Sequence, residues 1–354
     1  MKRVGHLWQD LVSWENLLLA YRKARRAKRH SLSVAKFSCA LEPELLQLQQ
    51  ELVTGQYRPG AYRQFCIYDR KPRVISAAPF RDRVVHHAIM NLIEPPLDRR
   101  FIDDTYACRK GKGVHAAVNR YQQFAQRYPY ALKLDIRQYF PSIDHDVLNK
   151  QLQSRIKDQP LLALLALIID ASPPSSAPFE VFPDEDLIRA LARNRGIPIG
   201  NLTSQFFANL YLDDFDHWVK QVLQVPAYLR YVDDMILLDA DKNRLWQSAE
   251  AISAYLLGLK LRLHERKQQI YRTATWVDVL GYRVSASRRL LRNDNGYRFR
   301  RKLRHFAKRY AEYRMDWADF NPSVQSWIGH AGHAETFGLR QAMFSMLTFQ
   351  RAGT

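Results

Sequence analysis

Residues 228–240, YLRYVDDMILLDA, place two adjacent carboxylates, Asp233 and Asp234, between two apolar runs. Each run is too short for a typical helix and rich in strand formers, so the acids fall at the turn of a β-hairpin. Side chains alternate along a strand, so Tyr231 and Asp233 oppose Val232 and Asp234 unless the turn intervenes. The turn is what lets both acids reach one site. Like charges this close repel in a low dielectric, and each loses hydration on burial. A chain with this stretch needs a compensating cation or hydrogen-bond donors beside it. Asp is also a common turn residue, so the pair gains weight only from its context.

That context begins with LKLD, a short strand ending at Asp135, which offers a third carboxylate from a distant part of the chain. Three carboxylates at the ends of neighbouring strands are hard oxygen donors suited to Mg²⁺. Two such ions about 3.5–4 Å apart can activate an attacking hydroxyl and stabilise the leaving oxygen of an in-line phosphoryl displacement. The charge balance agrees with a polyanionic partner: 54 Lys and Arg stand against 35 Asp and Glu, a net charge of +19. Nucleic acid is the first candidate, because each phosphate neutralised releases counterions. The plainer alternative is a basic soluble protein.

At 354 residues the chain is long enough for two or three lobes. Helical spacing runs through residues 7–28 and ends in the basic stretch RKARRAKRH. A second helix stops at Gly55, a hairpin with DRKP at its tip follows, and the helix from Phe80 is expected to end at Pro95-Pro96. LLALLALII, from Leu161, falls well short of the ~20 residues of a membrane span and reads as a buried helix. Residues 172–186 are rich in Pro and Ser and read as a loop or insertion; a helix opened by Gly200 follows. VDVLGYRVSASRRLLR reads as a further hairpin, and from about residue 292 the chain turns helical and strongly basic. Cys39, Cys66 and Cys108 include no close pair, and the N-terminus lacks a signal-peptide pattern, so a reduced, cytoplasmic protein with no membrane partner is expected. His330, His333 and His305 lack a Cys or acidic cluster that would complete a metal site, and adjacent His86 and His87 point in different directions on a helix.

Several motifs then occur in a telling order: KPRVISAAPFRDRVVHHAI, YACRKGKGVHAA, LKLDIRQYFPSI, IPIGNLTSQFFANLYL, YVDD and VLGYRV. The series resembles reverse transcriptases over most of the chain. The resemblance implies an α+β right-hand polymerase. Residues 1–125 would form an N-terminal extension and fingers, 126–291 a palm with an antiparallel sheet and a fingers-associated insertion near 150–196, and 292–354 a basic helical thumb. It implies Asp135, Asp233 and Asp234 as catalytic acids, joined by the Ile136 carbonyl in binding two Mg²⁺ ions, with Mn²⁺ as a substitute.

Other roles attach to the same motifs. Lys71 and Arg73 are placed to bind the triphosphate, Arg as a bidentate fork and Lys as a point charge. Phe140 would lie beneath the incoming sugar and clash with a 2′-hydroxyl; ordinary core packing is its plainer fate. Gly200 would let backbone approach the template base or nucleotide without a Cβ in the way. Gln205 belongs with the same dNTP site, and Lys267 would assist the pyrophosphate leaving group. Arg109, Tyr231, Gly281 and Tyr282 are expected at the primer–template. Arg300, Arg301 and Arg304 would follow its minor groove through phosphates and 2′-hydroxyls.

Within the family, Ile199-Gly200 and Ser204-Gln205 replace the usual Gln before the glycine and Ser-Pro after it. This pattern, with WENLLLAYRKA and SVQSWIGHAGHAETFGLR, resembles reverse transcriptases of diversity-generating retroelements. That resemblance implies a template-repeat RNA copied into cDNA with errors at adenines. It also implies a primer–template duplex and dNTPs as ligands and a basic, oligomeric accessory variability protein as partner. An aliphatic Ile199 in place of an amide would weaken mismatch rejection, because sites that demand hydrogen bonds discriminate most strongly. A group II intron-like, retron or phage-defence reverse transcriptase is the alternative within the class. A non-catalytic RNA-binding scaffold is the alternative outside it.

Overall fold

In the computed structural model the described residues are 3–68, 72–346 and 348–351. Strands β1 (Arg63–Tyr68) and β2 (Pro72–Ala77) form the antiparallel hairpin expected from the sequence, although its tip lies outside the described residues. The central sheet has four strands, β3 (Tyr130–Asp135), β4 (Tyr228–Tyr231), β5 (Asp234–Asp239) and β6 (Gln269–Arg272), in the order β4-β5-β3-β6. β3 pairs antiparallel with both β5 and β6. A three-stranded meander follows: β7 (Val277–Val279), β8 (Tyr282–Val284) and β9 (Arg289–Leu291).

The unbroken apolar run in β5 reflects burial on both faces. Leu132, Leu134, Met235 and Leu237 point into one core, shared with the N-terminal helices and the helices that precede β4. Ala131, Leu229, Ile236 and Leu238 point into a second core, shared with the meander and the C-terminal helices Asn293–Ala311 and Trp317–Ala331. Stacked Phe299 and Trp327, with ring centroids 4.1 Å apart, join those two helices. By alternation, Lys133, Asp135 and Asp234 share the second face.

Four expectations change. The N-terminal helix divides into Trp8–Leu11 and Trp14–Ala24, because the Ser13 side chain accepts from the Asn16 N–H and caps a new helix. Helix Phe80–Asp98 runs through Pro95 and Pro96; only two N–H groups are lost near its end, and buried Ile93 and Leu97 anchor that turn. The helix after Gly200 starts at Leu202 and breaks at Leu212 into a second, Asp213–Gln221. The LGY segment is a tight turn with positive φ at both Leu280 and Gly281, and a third strand extends the hairpin. Residues 172–186 contain no helix or strand, as their composition implies.

Candidate active site

The register of the central sheet sets Asp135 directly opposite Asp234, with Tyr231 opposite Asp234 on the other side. Val232 and Asp233 form the turn between β4 and β5, and the Ile136 N–H reaches the Asp233 carbonyl at 3.3 Å. Three acids from two distant segments thus lie at one end of one sheet. Val232 holds this turn at φ +57°, a region that a β-branched residue rarely enters.

The electrostatics show the cost of this arrangement. The Asp233 carboxyl is pushed up to about 6, first by burial, then by the charges of Asp234 and Asp135. Burial and Asp135 also raise Asp234, while Lys133 and Lys267 pull it back. Chain segment 262–267 lies alongside β3: the Arg137 N–H donates to the Arg262 carbonyl, and the His264 N–H donates to the Asp135 carbonyl at 2.7 Å. The 3₁₀ turn Glu265–Lys267 then brings the Lys267 Nζ to 2.7 Å from Asp135 Oδ2. Among the described residues, no group of three or more His, Cys, Asp or Glu side chains forms a ready-made metal cage. The donors have the right chemistry for a hard divalent ion, but Asp135 is turned to an ammonium.

The remaining expected site residues separate into groups. Arg73, on β2, and Gln205 are exposed; Lys71 lies outside the described residues. Phe140 is half-buried against the main core, in a short helix that follows left-handed Gln138. Gly281 sits at the open β7–β8 turn, with nothing within 4 Å of the position a Cβ would take. Tyr231 is half-buried near Asp234, and burial raises its hydroxyl pKa. Arg301 and Arg304 face solvent on helix Asn293–Ala311, whereas Arg300 is half-buried and contacts the Met346 sulfur at 3.2 Å.

Three of the expected residues are engaged by the protein itself. The Arg109 side chain is 7% exposed and binds Asp98 and the carbonyls of Asp98, Ile102 and Thr105, so in this structure it staples a loop. Tyr282 is fully buried, and its hydroxyl donates to the His330 carbonyl at 2.8 Å, which ties the meander to the last helices. Gly200, at φ +113°, makes its close approach to protein: a Cβ there would meet Ile75 Cγ2 at 2.7 Å, and the Ser76 N–H donates to the Ile199 carbonyl.

Sequence reasoning missed Lys133, two residues from Asp135 on the same strand face, although strand alternation places it there. It missed Arg230, whose charge within an apolar strand was the available signal. His115 joins His330 and His333 across 215 residues of chain, a contact with no local signature.

Strand-end carboxylates on an antiparallel sheet, in a chain this basic, fit an enzyme that works on a polyanion with a divalent cation. The reverse transcriptase (RNA-dependent DNA polymerase) family matches residues 68–284. Protein YkfC of Escherichia coli K12 is 26% identical over 288 residues, 70% of this chain and 73% of YkfC. The group II intron-encoded protein LtrA of Lactococcus lactis is 23% identical over 184 residues, 51% of this chain and 29% of LtrA. Nuclear intron maturase 1, mitochondrial, of Arabidopsis thaliana is 29% identical over 86 residues, 24% of this chain and 12% of the maturase. The chain therefore spans less than a third of the two intron-related proteins. It belongs to the reverse transcriptase family, the RNA-directed DNA polymerases.

Proposed function

We propose that Asp135, Asp233 and Asp234 are the catalytic acids of this polymerase, and that residues 1–125, 126–291 and 292–354 act as fingers, palm and thumb. The observation that carries the reading is the pairing of Asp135 with Asp234 beside the Asp233 turn. The three carboxylates and the Ile136 carbonyl would hold two Mg²⁺ ions, with Asp135 released from Lys267. Magnesium held there would supply activation of the primer 3′-hydroxyl and charge neutralisation at the pyrophosphate. Lys267, once released, is free to meet that pyrophosphate. Arg73 binds the triphosphate, and Phe140 screens the sugar. Primer extension on an RNA template with Mg²⁺ tests the assignment: wild type extends and Asp233→Ala does not. Equal extension by both removes it.

We further propose that the enzyme is of the diversity-generating type, copying a template-repeat RNA with errors at adenines, together with a basic oligomeric accessory protein. Ile199-Gly200 and Ser204-Gln205 support this reading. Similarity to a group II intron-encoded protein and to an intron maturase favours a group II intron-like enzyme as the second reading. Misincorporation opposite each template base separates the two. A high error rate confined to adenine, reduced by Ile199→Gln, supports the first; uniform low error supports the second.

A further inference from the structure

We infer that Arg230 is a positioning residue for the acid turn: from the face of the sheet opposite the acids, its guanidinium fixes the Val232 carbonyl and so aims Asp233 and Asp234. The inference rests on the polymerase reading above. Arg230 and Asp216 are both fully buried. Arg230 Nε donates to both Asp216 oxygens at 2.8 and 3.0 Å, and one terminal nitrogen donates to Asp216 Oδ2 at 2.6 Å and to the Asn209 carbonyl at 3.3 Å. The other terminal nitrogen reaches Asn209 Oδ1 at 3.4 Å and the Val232 carbonyl at 3.0 Å. Asp216 is held in turn by the hydroxyls of Tyr228, at 2.6 Å, and Thr105, at 3.1 Å.

The backbone of Arg230 is fastened as well. Its N–H donates to the Asp104 carbonyl, and its carbonyl accepts from the Tyr106 N–H. One rigid side chain therefore links an anchored network to the residue just before the catalytic pair. A buried ion pair is weak evidence for stability, since well-packed apolar residues often serve as well. A bond to a strained turn is a reason for its presence. Val232 at φ +57° departs from the conformations its side chain favours, and such strain persists only where the surroundings over-determine it. The Arg230 bond to its carbonyl supplies that constraint. Arginine is required because a planar fork can serve Asp216 and Val232 together, whereas a lysine ammonium is a point charge.

The test is Arg230→Lys in the full chain, measured by melting, by template–primer affinity from fluorescence anisotropy, and by RNA-templated extension across Mg²⁺ concentrations. The expected result is a fold that survives at assay temperature and template–primer affinity within about twofold of wild type. Turnover is expected to fall by about tenfold or more, with a several-fold rise in the Mg²⁺ needed for half-maximal rate, as slight misplacement of reacting groups costs rate steeply. Adding Val232→Gly, which tolerates positive φ, should recover part of the lost turnover. If Arg230→Lys does not fold, Asp216→Asn serves instead and should shift turnover and Mg²⁺ requirement in the same directions. Unchanged turnover and Mg²⁺ requirement overturn the inference, as does a loss that merely follows template–primer affinity or that Val232→Gly leaves unrelieved. A wild type without Mg²⁺-dependent extension would instead sink the polymerase reading.

Discussion

Replacing Asp233 by Asn should make the metal-free protein more stable while it abolishes synthesis. The Asp233 carboxyl is pushed up to about 6 in the folded chain, against about 3.9 for an unperturbed Asp. A gap of about two pH units corresponds to roughly 3 kcal/mol, at about 1.36 kcal/mol per unit. Asp233 keeps partial contact with water, so ~1–3 kcal/mol is the expected range. Between about pH 4 and 6 the folded state holds this proton more tightly than the unfolded chain does. Stability therefore falls as pH rises through that window, and the whole penalty is present at pH 7.5. Asparagine cannot ionise, so the variant escapes it. Urea unfolding in EDTA at pH 7.5 should show Asp233→Asn ahead by ~1–3 kcal/mol, and the gain should vanish below about pH 4. Mg²⁺ should narrow the difference by binding the folded wild type. A variant that is less stable at pH 7.5 in EDTA, or a gain that ignores pH, refutes the reasoning.

Gly200→Ala combines a strained φ with a Cβ 2.7 Å from Ile75 Cγ2, so it should lower stability by about 1–3 kcal/mol, visible as a reduced melting midpoint. Arg301→Ala and Arg304→Ala should weaken template–primer binding to a similar degree on unrelated sequences. Each should reduce the slope of log affinity against log salt by about 1, whereas an unchanged slope would remove these residues from the phosphate contacts.

The hairpin at 228–239 and the acids it carries were legible because their information is local: two apolar runs, a two-residue turn, and a side-chain period of two. Asp135 was legible as a strand end, but its register against Asp234 was not, since that pairing is set by packing between segments far apart in sequence. Basic residues were the least legible. Arg109 belongs to a motif that the resemblance assigns to the primer–template, yet in this structure its guanidinium binds the Asp98 carboxylate and the carbonyls of Asp98, Ile102 and Thr105. Tyr282 was expected beside the turn at the primer–template, and alternation across β8 sends its ring into the second core. Gly200 was expected to need the absence of a Cβ, and packing against Ile75 requires that absence.

The compensation that the two adjacent carboxylates demanded is only partly met within the chain. Lys267 pairs with Asp135, and Lys133 acts on Asp234 from the same strand face. Lys133 is itself half-buried and has its pKa lowered by burial, so its charge is not held freely. Two ammoniums thus face three acids, while burial first, and the neighbouring acid charges after it, leave both Asp233 and Asp234 favouring the proton more than an exposed Asp would. Three half-buried carboxylates beside two ammoniums are the hard oxygen donors proposed above to hold a divalent cation.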